Sequence, residues 1–128
     1  TPRDAFKDLQ KAFRTSDAAA LERQLSRDSL AKIGETAALF TRMEDRQLEA
    51  LSERLGVPAE RLKRLTVRDY CAITLSYDRN GNAARIATGK EIVGVSRKGN
   101  RALIRVSNGM ELPFVKEGPY WKFDMSLL

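Results

Sequence analysis

The stretch "RALIRVSNGMELPFVKEGPYWKFD", Arg101 to Asp124, decides the fold. Ala102, Ile104 and Val106 alternate with Arg101, Leu103, Arg105 and Ser107. Further on, Trp121, Phe123 and Met125 alternate with Tyr120, Lys122 and Asp124. A period of two belongs to a strand with one packed face and one wet face. Asn108-Gly109 between two such runs is a strong hairpin signal, because both residues tolerate the positive φ of a tight turn. Glu117-Gly118-Pro119 marks a second turn and Lys98-Gly99-Asn100 another upstream. The runs "KEIVGVSR" (90–97), "RALIRVS" (101–107), "MELPFVK" (110–116) and "YWKFDMS" (120–126) therefore read as an antiparallel meander. Pro113 has no amide donor, which places its strand at a sheet edge or at a bulge.

Upstream of this meander the pattern changes to a helical period. Pro2 suits a first helical turn. Ala5, Phe6, Leu9, Ala12 and Phe13 then form one apolar stripe on "PRDAFKDLQKAFR". Asp17 caps a second helix, "AAALERQLS", with Leu21 and Leu25 on one face. In "RDSLAKIGETAALF", Asp28 or Ser29 caps a short turn carrying Leu30 and Ile33, with Gly34 as a hinge. A long helix with Leu39, Met43, Gln47 or Leu48, Leu51 and Leu55 along one side ends at Gly56. Arg42, Glu44, Glu49, Glu53 and Arg54 make its solvated face. Pro58 starts a short helix, "PAERLKRL". The segment 66–79 carries two signals. Cys71, Ile73, Leu75 and Tyr77 alternate as in a strand, while Thr66 and Asp69 have the spacing of a capping box. The capping signal favours a helix. "DRNGN", 78–82, is a turn in either case.

The chain has 128 residues, 42% hydrophobic and 31% charged, enough for one domain over 1–128 with its own core. No apolar run approaches the 18 or so residues that span a bilayer. Cys71 is the lone cysteine, so no disulfide forms within the chain. Histidine is absent. That removes the commonest general base, the histidine-dependent nucleophile pairs and the commonest zinc ligand. No acidic cluster has calcium-loop spacing, and nothing implies a metal or a cofactor. The net charge is +6, and the segment 79–105 carries all of that excess: Arg79, Arg85, Lys90, Arg97, Lys98, Arg101 and Arg105 face one acid, Glu91.

Helices first and a meander afterwards give an α+β domain, with N-terminal helices packed on a curved antiparallel sheet. Both ends of the chain resemble the nuclear transport factor 2-like (cystatin-like cone) superfamily. The opening "TPRDAFKDLQKAFRTSDAAALERQLSRDSL" is similar to its Pro-started first helix and following helix. "RALIRVSNGMELPFVKEGPYWKFD" is similar to its closing strands with their Trp-Lys-Phe-Asp end. The resemblance is to uncharacterised bacterial members, often exported or lipid-anchored, and it is weak between about 56 and 92. It implies a cone-shaped half-barrel, often with a cavity and often paired as a homodimer through the sheet. It also implies an exported or envelope-associated protein whose leader was removed ahead of Thr1, with a cytoplasmic one as the alternative.

Such a fold leaves function to the site. The leading expectation is a non-enzymatic module that binds a small apolar molecule or a protein. Phe40, Tyr70, Phe114, Trp121 and Phe123 are its candidate apolar wall; the plainer reading of Trp121 and Phe123 is a closed core. The second expectation is an isomerase or cyclase, as the resemblance implies, with Asp124 as base and Tyr120 or Tyr70 as donor. That chemistry needs a carboxylate beside an oxyanion donor inside the cone. The alternation instead sets Asp124 and Tyr120 on the face opposite Trp121, where Asp124 pairs with Lys122 or Lys116. The third expectation is a polyanion site at Arg97, Lys98, Arg101 and Arg105 around the Gly99-Asn100 turn. The absence of Phe, Tyr or Trp from that segment disfavours nucleic acid, since single strands bind on stacking rings. Cys71 reads as a small buried residue, because a nucleophile there would need Arg68 or a helix N-terminus to lower its pKa.

Overall fold

The computed structural model describes residues 1–77 and 81–125. Arg79, most of the 78–82 turn and the end of the 120–126 run lie outside the described residues. Among the described residues the order is α1 (Pro2–Thr15), α2 (Ala18–Gln24), α3 (Arg27–Thr41), α4 (Asp45–Leu55), α5 (Ala59–Leu62), α6 (Val67–Ser76) and α7 (Asn82–Thr88). The strands follow as β1 (Ile92–Lys98), β2 (Arg101–Val106), β3 (Glu111–Glu117) and β4 (Tyr120–Phe123). The strands form an antiparallel sheet in sequential order.

Local chemistry explains most boundaries. Thr1 caps α1 by accepting from the Asp4 amide at 3.2 Å, and Pro2 fills a first-turn position that needs no donor. Ala5, Phe6, Leu9, Ala12 and Phe13 are all buried, so the stripe faces the sheet. Each large apolar side chain removed from water there contributes about 1.5–3 kcal/mol. Thr66 and Asp69 form the reciprocal capping box of α6, which settles 66–76 as a helix over the strand period. Ser26, not Asp28 or Ser29, caps α3, and Gly34 lies inside that helix with nothing within 4 Å of where a Cβ would stand. The expected hinge is thus absent. The long helix expected through Met43 divides instead. Glu44 and Gln47 make a capping box that starts α4, and Gly56 ends it in the left-handed region at φ 70. Leu39 is left 57% exposed as a result. The short helix after Val57 has Pro58 as its N-cap. The sequence pattern gave no element at α7. It is tied to α1 by Gln10, whose amide donates to the carbonyls of Ile86 and Gly89.

Pro113 sits in an interior strand, not at an edge. Its carbonyl accepts from the Asp124 amide at 3.0 Å, so its nitrogen also faces β4, where that strand has ended at Phe123. The missing donor falls beyond the last full pair.

On the inner face Ala102, Ile104, Val106, Leu112, Phe114, Trp121 and Phe123 join the α1 stripe in one core. Arg97 on β1 and Trp121 on β4 meet across this face, guanidinium to ring centroid 5.1 Å. Their strands stand about 14 Å apart along the sheet. A sheet curved towards its helices brings those side chains together. The bulge between Ile92 and Gly94 adds local twist.

Candidate functional site: a neutral cleft beneath the helices

One face of α6 presents Tyr70, Ile73, Thr74 and Tyr77, the i, i+3, i+4, i+7 row of a helix. Thr36 and Phe40, four apart on α3, stand across from it. Phe13 from α1, Ile86 from α7, Phe123 from β4 and Met125 close the floor. Together they enclose a cleft of ≈ 520 Å³. That volume lies within the ordinary range for small-molecule sites, about 300–1,000 Å³.

The polar groups at this cleft are few and neutral. Thr36 Oγ1 donates to the Lys32 carbonyl at 3.1 Å, and Thr74 Oγ1 donates to the Tyr70 carbonyl at 3.0 Å. Each hydroxyl oxygen therefore keeps lone pairs for a ligand donor. The Tyr70 and Tyr77 side chains are half-buried, and Asn82 stands at the start of α7. No Asp, Glu, Lys or Arg lines the cleft among the described residues.

The expected aromatic wall divides among three places. Phe40, Tyr70 and Phe123 line the cleft. Phe114 does not line the cleft: it lies behind Phe123, ring centroids 5.6 Å apart, within the core. Trp121 faces away from the cleft. It borders a separate hollow with Asp4 and Asp8 of α1, Arg23, Tyr120 and Lys122. Of the lining residues outside the expected wall, Ile73, Thr74 and Tyr77 carry a helical signal in the sequence. That signal is the i, i+3, i+4, i+7 row that starts at Tyr70.

Asp124 neither faces water nor pairs with Lys122 or Lys116 as the alternation implies. It is 3% exposed. Leu25 forms a parallel bridge to Phe123, and the Ser26 amide donates to the Phe123 carbonyl at 2.9 Å. That link lays the N-terminus of α3 over the end of β4. The Asp124 carboxylate then accepts from Ser26 Oγ at 3.2 Å and Ser29 Oγ at 3.4 Å, with Arg101 Nη1 at 3.7 Å. Ser29 Oγ also accepts from the Met125 amide at 2.7 Å. Asp124 is therefore a latch between α3 and the sheet, and it does not line the cleft. Tyr120 is 65% exposed, its ring beneath Lys122 Nζ at 5.4 Å, and Tyr70 lines the cleft that Asp124 does not, so neither candidate donor shares a site with Asp124. Lys122 donates to the Arg23 carbonyl.

Strand register also separates the basic residues. Lys98 pairs with Arg101 at the hairpin tip, and Arg101 and Arg105 share the outer face, while Arg97, opposite Ala102, turns to the inner face. Cys71 is buried. Burial pushes its thiol up to about 11, Glu22 adds to the rise, and the opposing effect of Arg68 is outweighed. Among the described residues no group of His, Cys, Asp and Glu converges on a metal position, and no helix is long and apolar enough to cross a membrane. A scan against protein-family models finds no match, nor does a search of curated proteins or of solved structures.

Proposed function

We propose that this chain is a binding module that holds a small, uncharged, mainly apolar molecule between α6, α3 and the end of β4. The observation that carries this reading is the character of the cleft. It has aromatic and aliphatic walls, a few neutral hydroxyls and no ionised side chain among its described lining residues. A charged ligand would lose its hydration there without a counter-ion, a loss of several kcal/mol. A neutral one gains apolar contact and finds hydroxyls that set its orientation. We also propose a nuclear transport factor 2-like cone. The inner-face contact of Arg97 with Trp121 and the position of α1 on the sheet support it.

The test uses N-phenyl-1-naphthylamine, a neutral apolar dye that brightens when it leaves water. The wild-type chain is expected to bind it saturably, one dye per chain. Phe40→Lys, a change at a half-buried wall position, is expected to weaken binding at least tenfold while leaving the circular dichroism spectrum unchanged. Equal binding by Phe40→Lys, or no saturable binding by the wild type, overturns the reading. Native mass spectrometry of freshly purified protein adds the mass of any resident ligand.

A further inference from the structure

The two edges of the sheet are treated differently. The β4 edge is closed by the Leu25–Ser26 link. The β1 edge is open among the described residues, since β1 pairs with β2 alone. An open edge offers a row of backbone donors and acceptors to another strand.

The side chains along that edge have a definite character. Gly94 pairs with Arg105, and a Cβ placed on Gly94 would stand 2.7 Å from Arg105 Nη2 and 3.0 Å from Nε. The Arg105 guanidinium therefore lies across β1, over the space a side chain would fill. Glu111, its register partner on β3, makes no ion pair with it among the described residues. Four residues along, about 13 Å in a strand, Lys98 stands on the same outer face. Between the two cations, Ser96 borders a shallow hollow of ≈ 280 Å³ whose lining includes Leu103 and Pro113. Val93, at the bulge, is 62% exposed.

We propose that the open edge of β1 receives an extended acidic segment of a partner protein as an added strand. Carboxylates four residues apart meet Arg105 and Lys98, and an apolar side chain between them enters the hollow. Backbone pairing supplies the attachment, and charge selects the partner. A second copy of this chain would bring Arg97, Lys98 and Arg105 against themselves. Nucleic acid would find no aromatic ring on β1 or β2 for its bases. The same cations discourage indiscriminate strand addition.

The experiment titrates the ¹⁵N-labelled full chain with a capped ten-residue peptide, Thr-Glu-Thr-Val-Thr-Glu-Thr-Val-Thr-Glu, which sets Glu, Val and Glu in turn along one strand face. The comparison arms are the same peptide with prolines at its two central threonines, whose amides would face β1, and phosphatidylglycerol vesicles. Amide shifts are expected to concentrate in β1, and the β1 amides that point away from β2 are expected to exchange more slowly. The proline peptide and the exposed double variant Lys98→Gln/Arg105→Gln, its fold verified by unchanged spectral dispersion, are each expected to bind at least fivefold more weakly. The proposal is overturned by equal binding of the proline peptide or of the variant, or by unchanged exchange along β1. Saturation by vesicles with no peptide binding overturns it too, as does concentration-dependent self-association through β1. Binding of the naphthylamine dye in the cleft is a separate readout, so either proposal can fail without the other.

Discussion

Replacing Asp124 with alanine tests what holds the helical layer to the end of the sheet. The wild-type carboxylate is 3% exposed and accepts from two buried serine hydroxyls at 3.2 and 3.4 Å. Hydrogen bonds to a charged group contribute about 1.5–3 kcal/mol each. These two are long for hydroxyl donors, which places each near the lower end of that range. Each hydroxyl carries one proton, and when the carboxylate goes Ser26 can donate to Ser29 Oγ at 2.8 Å and Ser29 to the Phe123 carbonyl at 3.3 Å, so neither is left unsatisfied. The expected cost of Asp124→Ala is about 2–4 kcal/mol, a large share of a stability of about 5–15 kcal/mol. Arg101 adds little, because its side chain is 64% exposed and 3.7 Å away. Such an ion pair contributes about 0–1 kcal/mol. Thermal unfolding followed by Trp121 fluorescence measures both variants. Asp124→Ala is expected to lower the melting temperature by roughly 10 °C, and Arg101→Ala by a few degrees at most. A loss from Arg101→Ala equal to that from Asp124→Ala would refute the assignment of the latch to the serines. So would a double-mutant cycle with Ser29→Ala that shows no coupling between Ser29 and Asp124.

Two glycines with the same close approach should respond differently to alanine. At Gly89 the new Cβ would stand 2.7 Å from Val106 Cγ1 and 3.3 Å from the Arg85 carbonyl, both held in packed structure, and a loss of about 1–3 kcal/mol is expected in denaturant titration. At Gly94 the 2.7 Å neighbour is the free end of Arg105, which swings away, so Gly94→Ala should stay within about 0.5 kcal/mol of wild type. The Cys71 thiol, raised from 9.0 to about 11, should resist a thiol reagent at pH 8 until the chain unfolds. Its folded pKa lies above the unfolded value, so the unfolded state loses its proton first as pH rises. Stability should therefore fall between about pH 9 and 11, measured by urea midpoints, and Cys71→Ala should remove that part of the slope. Arg97→Ala should change the Trp121 emission and cost about 0.5–1 kcal/mol, as loss of an exposed cation–π contact implies.

The sequence by itself determined the features that depend on neighbours along the chain. The apolar period of α1, the capping pair Thr66 and Asp69, the C-cap at Gly56 and the glycine turns between β1, β2, β3 and β4 each rest on contacts a few residues apart. Together these gave the α+β order of helices before a meander. The tertiary structure alone decided features whose partners are distant. Asp124 reads as a surface residue by alternation, but Ser26 and Ser29, almost a hundred positions earlier, bury it. Pro113 reads as an edge residue because the early end of β4 on its donor side is invisible locally. The cleft needs one row from α6, one from α3 and the end of β4, and its aromatic residues are separated from Trp121 by the side of the core each faces. Local propensity acts over a turn or a hairpin. Burial and pocket walls depend on which surfaces the folded chain brings together.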